Sequence, residues 1–276
     1  MKLQFTKMHG LGNDFVVIDA INQNVSLSTE QYRYLSDRHF GVGCDQILLV
    51  EKTHRVDADF RYRIFNANGS EVGQCGNGAR CFARFVSDKQ LNNNNVIRVA
   101  TQSGLLTLIH NNDDSISVNM GVPQFEPKEI PLLAETQKTD YTLEVERESI
   151  HFGAVSVGNP HAVLQVEQID KAPVQTLGPL LEQHRLFPER ANIGFMQIND
   201  LHAIMLRVYE RGTGETLACG SGACAAAVIG IQQQQLTTPV SVTLPGGRLT
   251  IDWQGQGEPV MMTGTATTVF EGTITL

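Results

Sequence analysis

One segment of this chain occurs twice. "RIFNANGSEVGQCGNGA" (63–79) and "RVYERGTGETLACGSGA" (207–223) align without a gap, 144 positions apart, and share Arg, Glu, Cys, Gly, Gly and Ala. An aromatic also meets an aromatic, Phe65 against Tyr209. Further upstream the offset becomes 146: "GND" (12–14) matches "GNP" (158–160), and Gln46 falls opposite Asn192. In a chain of 276 residues, a repeat of this period means two copies of one domain and not a short-period solenoid. With 41% hydrophobic residues, each copy can bury a core of its own.

The patterning agrees between the copies. Alternating or continuous apolar runs predict strands at 3–8, 15–19, 46–51 and 60–65. Ser28 and Gln31 have the spacing of a capping box and open a helix that runs to residue 38. A helix over 77–89 follows the first cysteine turn, then strands at 96–101, 105–110 and 115–120. The second copy reads as strands near 154–157, 162–166, 193–198 and 203–210, then a helix over 222–232. That helix, "GACAAAVIGI", has almost no polar face and is expected to be buried on all sides. The fold class is therefore α+β, with a sheet wrapped round one central helix in each copy. The seam is expected near residues 120–127, giving a first domain of 1–119 completed by a last strand at 264–276, and a second of 120–263.

Charge narrows the partners. A net charge of −8 with no Lys/Arg cluster argues against nucleic acid and against an acidic membrane surface. No run is long and apolar enough for a membrane span, and "MKLQFTKMHGLGNDF" has no apolar signal core, so a cytoplasmic location is expected. The five cysteines are Cys44, Cys75, Cys81, Cys219 and Cys224, an odd number that does not suit a disulfide framework. Their spacings, C-x5-C and C-x4-C with small apolar neighbours, do not suit zinc. Cys44, Cys81 and Cys224 read as small core residues.

Cys75 and Cys219 read differently. A cysteine that starts a helix lies among free backbone N–H groups and a partial positive charge, which lowers a thiol pKa. Those N–H groups can also hold a carboxylate, and glycine lets it approach. Two such turns, one from each copy, would clamp one carboxylate and place a sulfur on either side of the carbon that bears it. One thiolate would remove the α-proton while the opposite thiol protonates the other face, an inversion without metal or organic cofactor. Two other readings stay open here: a cysteine nucleophile with His161 as base, which leaves one cysteine idle, and a carboxylate-binding protein that catalyses nothing. A metal- or pyridoxal-dependent racemase is disfavoured, because no ligand cluster and no lysine neighbours the repeats.

"MHGLGNDFVVID", "DRHFGVGCDQ", "NANGSEVGQCGNGAR", "GNPHAV", "RANIGF" and "YERGTGETLACGSGACA" resemble the motifs of the diaminopimelate epimerase family, in order and from end to end. The resemblance implies a cofactor-independent interconversion of LL- and meso-diaminopimelate, in lysine and peptidoglycan biosynthesis. It implies two pseudo-symmetric domains, each a mostly antiparallel sheet curled into a barrel round a central helix, and a homodimer. It makes Cys75 and Cys219 the acid/base pair and His161 and Glu210 the residues that adjust their pKa values. Gly76, Asn77, Gly220 and Ser221 become the donors to the reacting carboxylate. Asn13, Gln46, Asn66, Asn159, Asn192, Glu210 and Arg211 become substrate contacts, with Arg211 at the distal carboxylate. Two positions depart from the family pattern: Asn68 replaces a common Asp, and Phe270 stands where some members carry Tyr near the dimer contact.

Overall fold

Strand β1 (Lys2–Gly10) alternates buried and exposed residues over its first half, as a strand with one wet face must. It returns as β2 (Asn13–Asp19) through Leu11 and Gly12, which both take positive φ, 57° and 87°. That is the combination a two-residue hairpin turn needs, and it fixes Asn13 as the first residue of β2. Helix α1 (Thr29–Ser36) begins with the Ser28–Gln31 capping box and carries the chain to β3 (Gln46–Glu51), parallel to β2. β4 (Phe60–Asn66) runs antiparallel to β3, and a two-residue strand, β5 (Glu71–Val72), folds back on it. Helix α2 (Gly76–Asp88) then crosses to β6 (Val96–Thr101), parallel to β4, and β7 (Gly104–His110) and β8 (Ile116–Asn119) follow as a meander.

The computed structural model describes residues 1–73, 75–145 and 148–276. These form two compact units, Met1–Asn119 with Thr263–Leu276, and Met120–Met262. In the second unit β9 (Tyr141–Val145) pairs with β10 (Glu148–Ser156), which pairs with β11 (Pro160–Gln165). Helix α3 (Val174–Glu182) follows, then β12 (Asn192–Asp200), parallel to β11, and β13 (Ala203–Glu210), antiparallel to β12. A short β14 (Gly214–Thr216) folds back on β13 and leads into helix α4 (Gly220–Gln232). β15 (Val240–Leu244) runs parallel to β13, with β16 (Gly247–Asp252) antiparallel beside it. The chain finishes with β17 (Met261–Gly264) beside β8 and β18 (Thr267–Thr275) beside β1.

The repeat is reproduced in the pairing. Phe15 faces Gln46 in the first unit and His161 faces Asn192 in the second, and each partner is its counterpart shifted by the same offset. The pairs Phe65–Glu71 and Tyr209–Glu215 match in the same way. Each sheet is mostly antiparallel, with two parallel pairings that the strand patterns do not reveal: β2–β3 and β4–β6, β11–β12 and β13–β15.

Both sheets curl round their second helix. In the first unit β17 and β18, only two residues apart, pair with opposite ends of the sheet, which therefore has to bend round α2. Strands β2 and β3 are buried on both faces: Val16, Ile18, Ile47 and Leu49 pack with Tyr32 and Leu35 of α1, whereas Phe15 and Leu48 meet α2 at Gly78. Helix α4 touches strands β10, β11, β12, β13, β15 and β16 and is buried from Gly222 to Gly230. The approach is close enough that a Cβ on Gly153 would lie 2.4 Å from Ile229, and one on Gly230 2.3 Å from Leu236. Cys44, Cys81 and Cys224 are buried.

Candidate active site

Each cysteine turn is held from below by an ion pair that the repeat contains as shared letters. Arg63 on β4 makes two bonds of 2.8 Å to Glu71 on β5, and Arg207 on β13 reaches Glu215 on β14 at 2.7 and 3.1 Å. These bidentate pairs fasten the two short strands that deliver the chain to the helix starts. Cys75 and Cys219 are the N-cap residues of α2 and α4, in extended conformation. Each sulfur accepts from the glycine N–H three residues on, Gly78 at 3.5 Å and Gly222 at 3.4 Å. A Cβ on Gly78 would lie 2.4 Å from the Tyr62 hydroxyl, so glycine is needed for the helix to seat here. Gly76 with Asn77, and Gly220 with Ser221, occupy the first two helical positions, whose N–H groups find no partner within a helix.

In the first unit an amide stands beside the sulfur. Cys75 Sγ lies 3.8 Å from Asn13 Oδ1, which also accepts from Asn77 Nδ2 at 3.3 Å. Asn77 in turn accepts at Oδ1 from Arg80 Nη2 at 3.0 Å. Arg80, fully buried on α2, also donates from Nε to the Thr265 carbonyl between β17 and β18. The other end of the Asn13 amide donates to Asp45 Oδ2 at 2.9 Å, so its carbonyl is turned toward the sulfur. Asp45 belongs to a charged network in which Arg38 bridges Asp45 and Asp14, and Lys7 reaches Asp14 and the Gly43 carbonyl. Burial works to raise the Asp14 carboxyl, but the hydrogen bonds from Arg38 and Lys7 outweigh it and hold it far below the usual range. Gln46 donates to Asn66 at 2.9 Å, and Asn66 reaches Ser70. Asn68 accepts from the Ser70 N–H and hydroxyl in the intervening turn, a role that Asp could fill equally.

The second unit substitutes other chemistry. Cys219, 3% exposed, has the Glu210 carboxylate as a hydrogen-bond partner and lies 3.7 Å from Ser221 Oγ. Glu210 also accepts from the Thr216 hydroxyl. Ser221 accepts from Asn159 Nδ2 at 3.3 Å, and Asn159 Oδ1 meets His161 Nε2 at 3.0 Å. His161 is buried, and that desolvation, with Arg211 nearby, lowers its pKa to about 3, so the ring is neutral at physiological pH. Asn192 donates to the Pro160 carbonyl and accepts from the Arg211 N–H. The exposed Arg211 side chain donates to the Glu189 carbonyl at 2.9 Å.

At Cys219 the lowering effect of the helix start is outweighed, contrary to the expectation from sequence. Burial first, then the charge and hydrogen bond of Glu210, push this thiol well above the ordinary value of 9.0, and the Gly222 N–H and Ser221 hydroxyl only partly offset them. The result is a protonated sulfur with a carboxylate base already in contact. His161 is linked to this group through Asn159 and Ser221 and carries no positive charge at physiological pH. Within the first unit the structure brings together Cys75, Gly76, Asn77 and Asn13, with Gln46 and Asn66 paired on neighbouring strands. In the second unit Cys219, Gly220, Ser221, Asn159, His161 and Glu210 form one group, and Asn192 with Arg211 another, tied to it by the Pro160 carbonyl. Sequence reasoning did not single out Arg80, Asp45 or Glu182, though Asp45 stands inside a quoted motif and Arg80 closes another. Among the described residues, no three His, Cys, Asp or Glu side chains gather as a metal site, and no helix is long and apolar enough to cross a membrane.

The chain matches the profile of the diaminopimelate epimerase family over residues 5–126 and 153–269. It is 58% identical over 276 residues to the diaminopimelate epimerase of Nitrosospira multiformis, covering 100% of this chain and 99% of the relative. Against that of Nitrosomonas eutropha the identity is 60% over 279 residues, covering 100% of both. Among solved structures it resembles a Bacillus anthracis phenazine biosynthesis protein of the PhzF family (TM-score 0.72, 17% identity, 100% of both chains covered). It also resembles an Agrobacterium vitis hydroxyproline epimerase (TM-score 0.70, 15% identity, 99% and 92% covered). At such identities these two likenesses show the fold alone.

Proposed function

Since the chain belongs to the diaminopimelate epimerase family, we propose that it inverts one α-carbon of diaminopimelate, LL to meso and back, with Cys75 and Cys219 as the two proton-transfer groups. The observation that carries this reading is the pair of cysteine N-caps, alike in backbone, with Glu210 in contact with one of the sulfurs. Glu210 takes the Cys219 proton, and the thiolate so formed removes the α-proton from one face. The electron pair left on the carbon is stabilised through the adjacent carboxylate, held by the N–H groups at Gly76, Asn77, Gly220 and Ser221. The Cys75 thiol delivers its proton to the opposite face, and the configuration is inverted. The reverse reaction runs the same transfers backwards, with the sulfurs exchanging roles. No other reactant is consumed.

Asn13, Asn66, Asn159 and Asn192, with Gln46 and Glu210, line the polar surface that receives the amino and carboxylate groups. Arg211 takes the distal carboxylate, for which a guanidinium fork is suited. The product serves lysine and peptidoglycan synthesis in the cytoplasm. The exposed Val269 and Phe270 on β18 support a homodimer built on that strand. Incubating LL-diaminopimelate with reduced protein and a chelator, then separating the isomers by chiral chromatography, tests the activity. Meso isomer should accumulate to a fixed ratio that is reached from either side. An unchanged LL isomer, or conversion only after pyridoxal phosphate is added, contradicts the reading.

A further inference from the structure

The turn that carries Arg211 is fastened to a carboxylate that no part of the proposed chemistry uses. Glu182, at the end of α3, is 3% exposed. Burying a carboxylate is costly unless its oxygens are satisfied, so the partners of such a group show what it is there to hold. Its Oε1 accepts from the Gly212 N–H at 2.8 Å and lies 3.5 Å from Arg190 Nη1, and its backbone carbonyl accepts from the Ala191 N–H. One residue thereby joins the 210–212 turn to the 189–192 segment. The same two segments meet twice more: Asn192 Oδ1 accepts from the Arg211 N–H at 3.0 Å, and the Glu189 carbonyl accepts from Arg211 Nη1 at 2.9 Å.

Helix α3 is itself seated against the strand that leads to this turn. A Cβ on Gly178 would lie 2.7 Å from the Tyr209 ring, so the helix lies directly on the residue two before Arg211. Its last residue thus reaches the backbone just past the arginine. Gly212, at a φ of +73°, turns the chain so that its N–H points inward to the carboxylate while the Arg211 side chain faces outward. The tether acts on the backbone, while the guanidinium itself donates to a backbone carbonyl, that of Glu189.

We infer that Glu182 is a positioning residue for recognition of the substrate's distal carboxylate: by clipping the Gly212 N–H to the Arg190 segment, it sets where the Arg211 fork stands. This rests on the assignment of Arg211 to that carboxylate. A purely structural Glu182 would lower the amount or stability of folded protein without caring whether Arg211 is present. A positioning residue acts only through Arg211.

The test is a double-mutant cycle read by kcat/KM for diaminopimelate, with α-proton exchange into deuterated water to register low activities. Glu182→Met, close in size and lacking the acceptor, should lose about tenfold or more in kcat/KM in the parent. In the Arg211→Ala background the same change should alter kcat/KM by less than about twofold. Glu182→Gln keeps an oxygen for the Gly212 N–H and should recover most of the activity. Should Glu182→Met fail to fold, Glu182→Asp, which withdraws the oxygens by one methylene, reads the same coupling. Parent-like kcat/KM in Glu182→Met, or an equal loss in both backgrounds, overturns the inference. An undiminished kcat/KM in Arg211→Ala alone would instead reject the distal-carboxylate assignment beneath it.

Discussion

Cys75 and Cys219 each cap a 13-residue helix and accept a hydrogen bond from the glycine three residues on. Beside the first sulfur stands the Asn13 amide; beside the second stands the Glu210 carboxylate. The divergence follows the repeat position by position. Phe15 becomes His161, Asn66 becomes Glu210, Ala67 becomes Arg211 and Asn77 becomes Ser221. The backbone of each turn packs tightly under its helix, where a Cβ would lie 2.4 Å from the Tyr62 hydroxyl at Gly78 and 3.0 Å from Val208 at Gly222. The polar groups around it are free to differ. The first unit holds neutral amides in place with a network of fixed charges, and the second carries a carboxylate beside its sulfur and the exposed cation.

The comparison is broken most severely at Glu210. Glu210→Gln makes the second turn resemble the first and removes the base beside a strongly protonated thiol, so kcat/KM should fall by roughly 10²-fold or more. Initial rates in both directions measure it, and a loss of less than about threefold would show that Glu210 is not the group that accepts the Cys219 proton. Next comes Arg211→Lys, which keeps the charge and loses the fork; kcat/KM for diaminopimelate should fall about 10- to 100-fold. An unchanged preference for diaminopimelate over lysine would count against the assignment.

Acid should separate the two units. His161 is favoured in its neutral form by folding, so its contribution is complete above its ordinary value of 6.5 and is lost as pH falls toward about 3. Asp14 is favoured in its charged form, so its contribution is complete only above 3.8 and drains away below that value. Denaturant midpoints measured against pH should lose stability by at most about 1.4 kcal/mol per pH unit from His161 in the mildly acidic range. His161→Phe, which copies Phe15, should flatten that range, and Asp14→Asn should flatten only the region below pH 4 or so. Equal acid profiles in the parent and His161→Phe proteins would contradict burial as the cause. The smallest effects belong to the shared ion pairs. Arg63→Met and Arg207→Met should each cost about 1 kcal/mol or less in denaturation, because both pairs are partly solvated.

The duplicated architecture was legible because the repeat carries its own register: offsets of 146 at Gln46 and 144 at Phe65 return as matching strand partners. Strands 46–51, 96–101 and 203–210 are found at the boundaries their apolar patterns give. Helix α3 was not legible, since Pro179 and Gly178 interrupt its helical pattern and tertiary packing supports it, Gly178 on Tyr209 and Val174 and Leu181 in the core. With α3 unread, Glu182 was unread as well. β5 and β14 are too short for any period to show, so Arg63 and Glu71 stood in the sequence as shared letters without a bond between them. The direction of the Cys219 shift depends on burial and on the approach of Glu210, which local sequence does not contain.

The central claim is that each cysteine serves one face of one carbon, and isomer-specific exchange tests it most directly. Cys75→Ala and Cys219→Ala proteins are incubated separately with LL- and meso-diaminopimelate in deuterated water, and loss of the α-proton signal is followed by NMR. Neither variant should invert the substrate. Each should retain slow exchange of the α-proton on only one isomer's reacting centre, and the two variants should prefer opposite isomers. A single variant that still inverts diaminopimelate, or one that exchanges both isomers equally, would contradict the account and leave one of the two cysteines without a part in the reaction.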